Sequence, residues 1–495
     1  MQRIHPGTKQ TLLGVAATRQ IEERVRASLP EHALIQRAGL AVAKLALAIA
    51  PHAQRIWIAC GPGNNGGDGL EAALHLLRWG KEPIVTWLGK PGLAPMDAAT
   101  SYERAALAGV TFSQGAPTDV QLCIDALLGI GACKREPEAE MAGYISQING
   151  SGAPILAVDV PTGLDADTGT TTQLHIKATH TLSLLTLKPG LFTAHGRDAC
   201  GTIWLDDLQV AHEERQSIQP SAFLPCQPVP TARAHASHKG TFGDVAVLGG
   251  APGMTGAALL AASAALHAGA GRVFVGLLDG GSLSVDASQP ELMFRPIDML
   301  NFDTMTVVCG CGGGEAVGPV LSQVLLSSAP IVIDADALNL ISKDAALQAL
   351  LRSRASHTSE TVLTPHPLEA ARLLGCTAAQ VQQDRLDAAT RLAQQFACTV
   401  ILKGSGTVIA TPKQTPVINP TGNARLATAG TGDVLAGLVG AKLAAGAPAF
   451  QAACEAAYQH GKIADSWPVT SVLTASGLAL QPTETHKDRY QINSY

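Results

Sequence analysis

Thr428-Ala-Gly430-Thr-Gly432-Asp433 sets two glycines and a carboxylate directly ahead of an apolar, small-residue run, Val434–Leu443. Glycine lets a backbone turn tightly and approach a ligand closely. The run that follows reads as a buried helix. Such a turn gathers backbone N–H groups and the positive end of a helix at one point, which suits a phosphate. Asp433 stands at that point, where a carboxylate can take a proton from a hydroxyl. An ordinary helix start explains the same residues equally well, so this stretch alone leaves both readings open. Lys403-Gly404-Ser405-Gly406-Thr407 offers amides and a hydroxyl at a hairpin tip. Together the two stretches would hold a nucleotide whose terminal phosphate points at Asp433, since positioning and charge neutralisation carry most of phosphoryl transfer. His366-x-x-Glu369 adds a donor and a carboxylate. Glu369 either reaches a hydrated Mg2+ or favours a helix start by its charge.

A second group lies in the first half. Gly61-Pro-Gly-Asn64-Asn65-Gly66-Gly67-Asp68-Gly69 follows an apolar run at once. Its amides can bond ribose or phosphate, or lend carbonyl oxygens to a cation. Asp125 and Asp159 each end an apolar run, and with the Asn amides they would form an acid/base or oxygen-ligand site. Asn, Asp and Gly are also ordinary turn residues. Three such clusters (64–69, 125–135 and 159–163) in one series favour a site.

The elements that must position these residues alternate regularly. Strands are expected at Arg55–Cys60, Pro83–Leu88, Val120–Ile124 and Ile155–Val158, with helices at Leu70–Trp79, Ala94–Ala108 and Glu138–Ile148. Strands that alternate with helices, each ending in a polar loop, predict a parallel doubly wound sheet with ligands at the carboxyl ends. Residues 210–235 turn polar and then Pro-rich, as a linker does. A second series follows, with strands at Val245–Gly249, Arg272–Leu277, Thr306–Cys309, Pro330–Ile333 and Val362–Leu363. A hairpin of Val400–Lys403 and Thr407–Ala410 comes after them. The expected architecture is α/β with two domains, residues 1–215 and 236–495, joined by a linker at 216–235.

With 46% hydrophobic residues, 495 residues can bury two sizeable cores. The net charge of −5 is mild and unclustered, giving no electrostatic basis for binding nucleic acid or anionic membranes. Ten cysteines show no metal-type spacing and read as small buried hydrophobes of a reducing compartment. Residues 1–20 lack the apolar core of a signal peptide, and Leu40–Ile49 is too short to span a bilayer. A soluble, cytoplasmic chain is expected.

The Asn64–Gly69 loop, Asp125-Ala-Leu-Leu-Gly-Ile-Gly131 and Val158-Asp159-Val-Pro-Thr-Gly163 resemble the NAD(P)H-hydrate epimerase domain, which is Rossmann-like. The resemblance implies that Asn64, Asn65, Gly66, Gly67 and Asp68 hold a hydrated dinucleotide. Gly129, Ile130, Gly131, Ala132, Cys133, Lys134, Arg135 and Asp159 would hold it as well. It implies a K+ ion on Asn65, Asp125 and Thr162, with Asp159 as the acid/base at the nicotinamide hydrate. Ile130 replaces the family's usual Thr, and residues 132–135 depart from its Gly-Leu-x-Arg register. Gln36 and Arg37 stand where that family often has Glu and Asn.

In the second half, Gly430–Gly437, Asp334-Ala-Asp336-Ala-Leu-Asn339 and Thr364-Pro-His-Pro-x-Glu369 resemble the ribokinase-like superfamily, and within it the ADP/ATP-dependent NAD(P)H-hydrate dehydratase. Here the resemblance implies that Lys403, Gly404, Ser405, Gly406, Thr407 and Gly432 bind the nucleotide. Ala257, Gly312, Gly314, His366 and Asp433 would bind the hydrated dinucleotide. Cys311 stands where Pro is common, and Leu368 where Gly is usual. The implied function is repair of hydrated NADH and NADPH: epimerisation of the R and S hydrates, and dehydration of the S form with ADP as co-substrate, yielding AMP and phosphate. K+ and Mg2+ are the implied ions, and the Ala- and Gly-rich helices suit a homo-oligomer. The alternative is a vitamin-precursor kinase fused to a dinucleotide-binding module.

Overall fold

The computed structural model describes residues 1–131, 136–211, 218–229, 233–357 and 359–481. The chain forms two compact units, Met1–His5 with Gln10–Phe223, and Pro6–Lys9 with Leu224–Tyr495. Their boundary falls inside a short strand, Ala222–Leu224.

The central strands of the first unit are apolar runs, and short polar segments add further strands to it. These are β1 (Gln2–Arg3), β2 (Gln10–Leu12), β3 (Arg55–Cys60), β4 (Glu82–Trp87), β5 (Thr111–Phe112), β6 (Leu122–Ala126), β7 (Ile155–Val158), β8 (His180–Leu184) and β9 (Thr202–Asp206); the boundary strand is β10. One sheet runs β1-β9-β8-β7-β6-β3-β4-β5, parallel except for β1. From β3 the chain winds outward through β4 and β5, then returns to β6 and winds the other way. The switch point therefore lies between β3 and β6, where doubly wound sheets hold their ligands. Asn64–Asp68 follow β3 and Asp125 lies in β6, so topology alone brings them to one crevice.

Two boundaries differ from expectation. The helix after β3 begins at Asn64 rather than Leu70, running Asn64–Arg78, so the Asn-Asn-Gly-Gly-Asp-Gly stretch is its opening turns and not a loop. Its glycines are packing residues: a Cβ on Gly66 would lie 2.0 Å from the Gly61 carbonyl oxygen, and one on Gly69 2.6 Å from Ala126 Cβ. The strand expected at Val120–Ile124 is β6 at Leu122–Ala126, with Asp125 near its end as expected.

The second unit contributes β11 (Asp244–Gly249), β12 (Arg272–Leu277), β13 (Met293–Phe294), β14 (Thr306–Cys309), β15 (Ile331–Ile333), β16 (Thr361–Leu363), β17 (Thr399–Leu402), β18 (Val408–Ala410) and β19 (Val417–Ile418). They are ordered β13-β12-β11-β14-β15-β16-β17-β18-β19. Pairing is parallel as far as β17 and antiparallel through β18 and β19. The switch point lies between β11 and β14, beside the glycines of 310–314.

The helix expected at Val434–Leu443 runs Thr431–Ala444, so Asp433 is in its first turn. This helix is buried along nearly its whole length, which explains its apolar character on every side. It packs on helix Thr255–His267 so closely that a Cβ on Gly437 would sit 2.1 Å from the Ala261 carbonyl oxygen. Gly430, at φ +89°, closes the turn before it; a Cβ there would meet Leu260 at 2.5 Å. Among the described residues, no helix is long and apolar enough to cross a membrane. The described cysteines are unpaired and mostly buried, with Cys226 the exposed exception.

Candidate active sites

In the first unit, strand ends deliver a buried polar cluster. Asp125 Oδ2 accepts the Thr162 N–H at 2.8 Å, and Oδ1 accepts the Thr162 hydroxyl at 2.7 Å and the Leu127 N–H at 3.2 Å. Burial pushes the Asp125 carboxyl up to about 6, against the pull of those hydrogen bonds. The Asn65 side chain lies against Gly129, whose added Cβ would be 3.1 Å from Asn65 Oδ1. Asn65 Nδ2 is buried without a hydrogen-bond partner among the described residues. Turning the amide over would aim its oxygen at that position, as an acceptor awaiting a cation. Amide, carboxylate and hydroxyl oxygens are donors that suit a hard cation, so this set fits the ion that the sequence implied.

Asp159 directly follows β7 with φ +67°, a left-handed conformation uncommon for a residue with a side chain. Local strain of this kind clusters at functional positions. Its Oδ1 accepts the Leu184 N–H at 3.2 Å and is ion-paired to Lys188. Lys188 is fully buried, and its ammonium also donates to the Leu184 carbonyl at 2.8 Å and to Ser183 Oγ at 3.3 Å. Burial first, then the charge of Asp159, pushes both Asp68 and Glu22 upward. Asp68 and Glu22 thus lie within electrostatic reach of Asp159, which Lys188 contacts directly. Lys188 and Glu22 were not anticipated; a lysine inside the apolar run Leu182–Leu191 was the available signal. Arg19 lies beside Gly131, whose added Cβ would be 3.1 Å from its Nη2. Ala132, Cys133, Lys134 and Arg135 lie outside the described residues. Arg37 donates to the Leu208 carbonyl at 2.8 Å, a structural role.

The second unit converges on Asp433. A Cβ on Gly432 would lie 3.3 Å from Lys403 Nζ, so the hairpin lysine reaches the helix start. The Thr431 N–H donates to the Thr428 carbonyl at 3.4 Å, and the Gly432 and Asp433 N–H groups belong to the opening turn, where no intrahelical acceptor is available. Lys403 Nζ donates to Asp334 Oδ1 at 2.8 Å, and the Thr364 hydroxyl donates to the same oxygen at 2.6 Å. Burial first, then the neighbouring Asp334 charge, pushes the Asp433 carboxyl up to about 7. Buried His460, its own value lowered to about 4 by burial, donates Nε2–H to the Thr431 carbonyl at 2.9 Å and steadies the turn.

The hairpin tip is held from below. Buried Arg385 donates to the carbonyls of Leu402 and Lys403 at 3.2 and 3.1 Å, and a Cβ on Gly404 (φ +133°) would lie 2.9 Å from its Nη1. Gly312 (φ +59°) abuts Ala257, its added Cβ 2.7 Å from the alanine's, and Gly314 donates its N–H to Asp336 at 2.8 Å. His366 caps helix Pro367–Leu374: its Nδ1 accepts the Leu368 N–H at 3.1 Å, while Glu369 accepts the His366 N–H at 2.7 Å. Glu369 is therefore engaged in a capping box, the helix-start role that the sequence offered for it. Asp334, Arg385 and His460 were not assigned roles from sequence. A buried Asp at a strand end was legible within the Asp334–Asn339 motif, but nothing local marks the other two.

Two family models match the chain: YjeF-related protein N-terminus over residues 31–190, and NAD(P)H-hydrate dehydratase over residues 245–483. The chain is 36% identical over 453 residues to the bifunctional NAD(P)H-hydrate repair enzyme Nnr of Escherichia coli (strain K12), covering 87% of this chain and 84% of that protein. It is 45% identical over 272 residues to the ADP-dependent (S)-NAD(P)H-hydrate dehydratase of Neisseria meningitidis serogroup B, covering 54% and 90%. A crystal structure of the ADP/ATP-dependent NAD(P)H-hydrate dehydratase of Bacillus subtilis matches with a TM-score of 0.41 and 30% identity, over 50% and 90% of the two chains.

Proposed function

Since the chain belongs to the family of bifunctional NAD(P)H-hydrate repair enzymes, we propose that it restores NADH and NADPH from their hydrates in two steps. One activity interconverts the R and S epimers, and the other dehydrates the S form with ADP, releasing AMP and phosphate. We assign the first to residues 1–215 and the second to residues 236–495, joined by the linker at 216–235.

The dehydration has a clear chemical logic. Water added to the ring leaves a hydroxyl on carbon 6, beside the ring nitrogen. Hydroxide departs poorly, so the hydroxyl oxygen attacks the terminal phosphorus of ADP, AMP leaves, and the hydroxyl proton passes to Asp433. The carbon–oxygen bond then breaks with phosphate as leaving group, assisted by the ring nitrogen's lone pair. Loss of a proton from carbon 5 restores the ring double bond. The amides at the start of helix Thr431–Ala444 face the charge on the transferring phosphoryl, and Lys403, Gly404, Ser405, Gly406, Thr407 and Gly432 hold the nucleotide. Ala257, Gly312, Gly314 and His366 hold the hydrate. Mg2+, where it takes part, would arrive on the nucleotide phosphates with most of its own waters, since Glu369 is occupied with His366. The observation that carries the reading is Asp433 in a helix's first turn with Lys403 beside Gly432.

In the epimerase, inversion at carbon 6 requires one of its bonds to break and reform, with a proton moved on and off the hydroxyl. Asp159 moves that proton, and Lys188 fixes the carboxylate's position. Asn64, Asn65, Gly66, Gly67 and Asp68, with Gly129, Ile130 and Gly131, hold the dinucleotide; we extend this to Ala132–Arg135. Asn65, Asp125 and Thr162 would hold K+, whose charge would steady the negative end of the substrate. Assembly as a homo-oligomer in the cytoplasm completes the proposal. The test is absorbance of the reduced ring, with mixed R and S hydrates plus ADP. Complete conversion is expected; conversion that stops at the S fraction removes the epimerase, and no recovery of absorbance removes the dehydratase.

A further inference from the structure

The thiol of Cys311 meets two carboxylates that arrive from different parts of the second unit. Cys311 follows β14, Asp334 follows β15, and Asp433 opens the buried helix. One ligand atom from each lies within 4.8 Å of the others. Cys311 and Asp334 are buried, and Asp433 is the partly open member. The two oxygens of Asp334 are differentiated. Oδ1 is taken by Lys403 and Thr364, whereas Oδ2 faces Cys311 Sγ at 3.9 Å. Hydrogen bonds to the far oxygen of a carboxylate are what orient a metal ligand.

From this arrangement we propose that Cys311, Asp334 and Asp433 form a site for a thiophilic divalent cation, of the Zn2+ or Cd2+ class, inside the dehydratase centre. Bond lengths of about 2.3 Å to sulfur and about 2.0–2.2 Å to oxygen put tetrahedral ligand atoms about 3.5 Å apart. The observed spacing needs only a small contraction. Charge also balances: a thiolate, two carboxylates and the Lys403 ammonium sum to −2, which a divalent ion cancels. Binding releases the Cys311 proton to solvent and leaves a fourth position for water on the open side. Mg2+ is a poor occupant, because hard cations select oxygen and thiolate selects softer metals. Occupancy ties up Asp433, so the ion excludes dehydration. That consequence rests on the functional reading above; the binding itself does not.

The test titrates Cd2+ into full-length Cys226→Ser protein, which removes the exposed thiol, and follows cadmium–thiolate charge-transfer absorbance. One saturable equivalent is expected in that protein. Cys311→Ala added to it should abolish the band, and so should Cys311→Ser, which keeps the shape should the alanine variant fold poorly. No saturable band, or a band unchanged by both substitutions, overturns the site. A second arm measures Zn2+ inhibition of S-hydrate dehydration and its reversal by chelator. The inhibition constant should rise at least tenfold in Cys311→Ser, judged against that variant's own metal-free rate; an unchanged constant overturns the site. A protein that binds Cd2+ yet shows no turnover without metal would instead refute the dehydratase reading.

Discussion

Each unit brings a carboxylate to the carboxyl ends of a parallel sheet, yet the two are held in opposite ways. Asp159 is clamped by a fully buried ammonium and by a left-handed backbone. Asp433 sits in a helix's first turn, and its neighbouring cation, Lys403, is bonded to Asp334 instead. The first carboxylate has a charge partner of its own. The second is left with a carboxyl raised to about 7, so it exchanges a proton near neutrality. The roles proposed for them, proton shuttling in both directions at Asp159 and proton acceptance during phosphoryl attack at Asp433, call for different surroundings.

Removing Asp433 should break this contrast most sharply. Asp433→Asn is expected to lower the dehydration rate by about a thousandfold or more while ADP still binds and epimerisation continues. A rate near wild type would refute the base assignment. Because the folded carboxyl is raised above its unfolded value, its stability contribution is full below about pH 4 and lost as pH rises through about 7. The same variant should therefore melt higher than wild type at pH 8, and the difference should vanish toward pH 4.

Lys188→Met probes the other side. It leaves Asp159 without its partner in a buried place, at a cost of about 3–5 kcal/mol. Epimerisation should fall about a hundredfold, with the melting transition of the first unit lowered and dehydration of pure S hydrate retained. Equal losses in both activities would mean that the variant is simply misfolded. In the intact protein, dehydration should fall about tenfold as pH drops from 8 to 6, since an essential base with a value near 7 is mostly protonated at the lower pH. A profile flat across that range would argue that Asp433 is not the proton acceptor. The smallest effect concerns the cation of the first unit. K+ should raise the melting temperature of wild type by a few degrees over Li+, but not that of Asp125→Asn, measured by thermal shift.

Much of this was legible before any coordinates. Strand cores such as Arg55–Cys60, Arg272–Leu277 and Thr306–Cys309 fall where periodicity puts them, because buried parallel strands are continuous apolar runs. The boundary at Asn64 was misplaced because Asn, Gly and Asp read as turn residues. They form helix here, and packing against Gly61 and Ala126 explains why positions 66 and 69 are glycine. The partners were harder to see. Lys188 lies 29 residues from Asp159, and Arg385 reaches Leu402 across 17. Such pairs exist only once the sheet order is fixed. The Cys311–Asp334–Asp433 group has no sequence spacing to read, since each member ends or begins a different element.

The contact at Gly437 constrains the sequence. The helix that opens with Asp433 and the helix that carries Ala257 in its first turn touch backbone to backbone there, with no space for one more carbon. A single methyl would have to part the two helices, and with them Asp433 and Ala257. Any side chain at this position would therefore collide with the facing backbone. The constraint thus acts about one helical turn from Asp433, at a position that carries no side chain of its own.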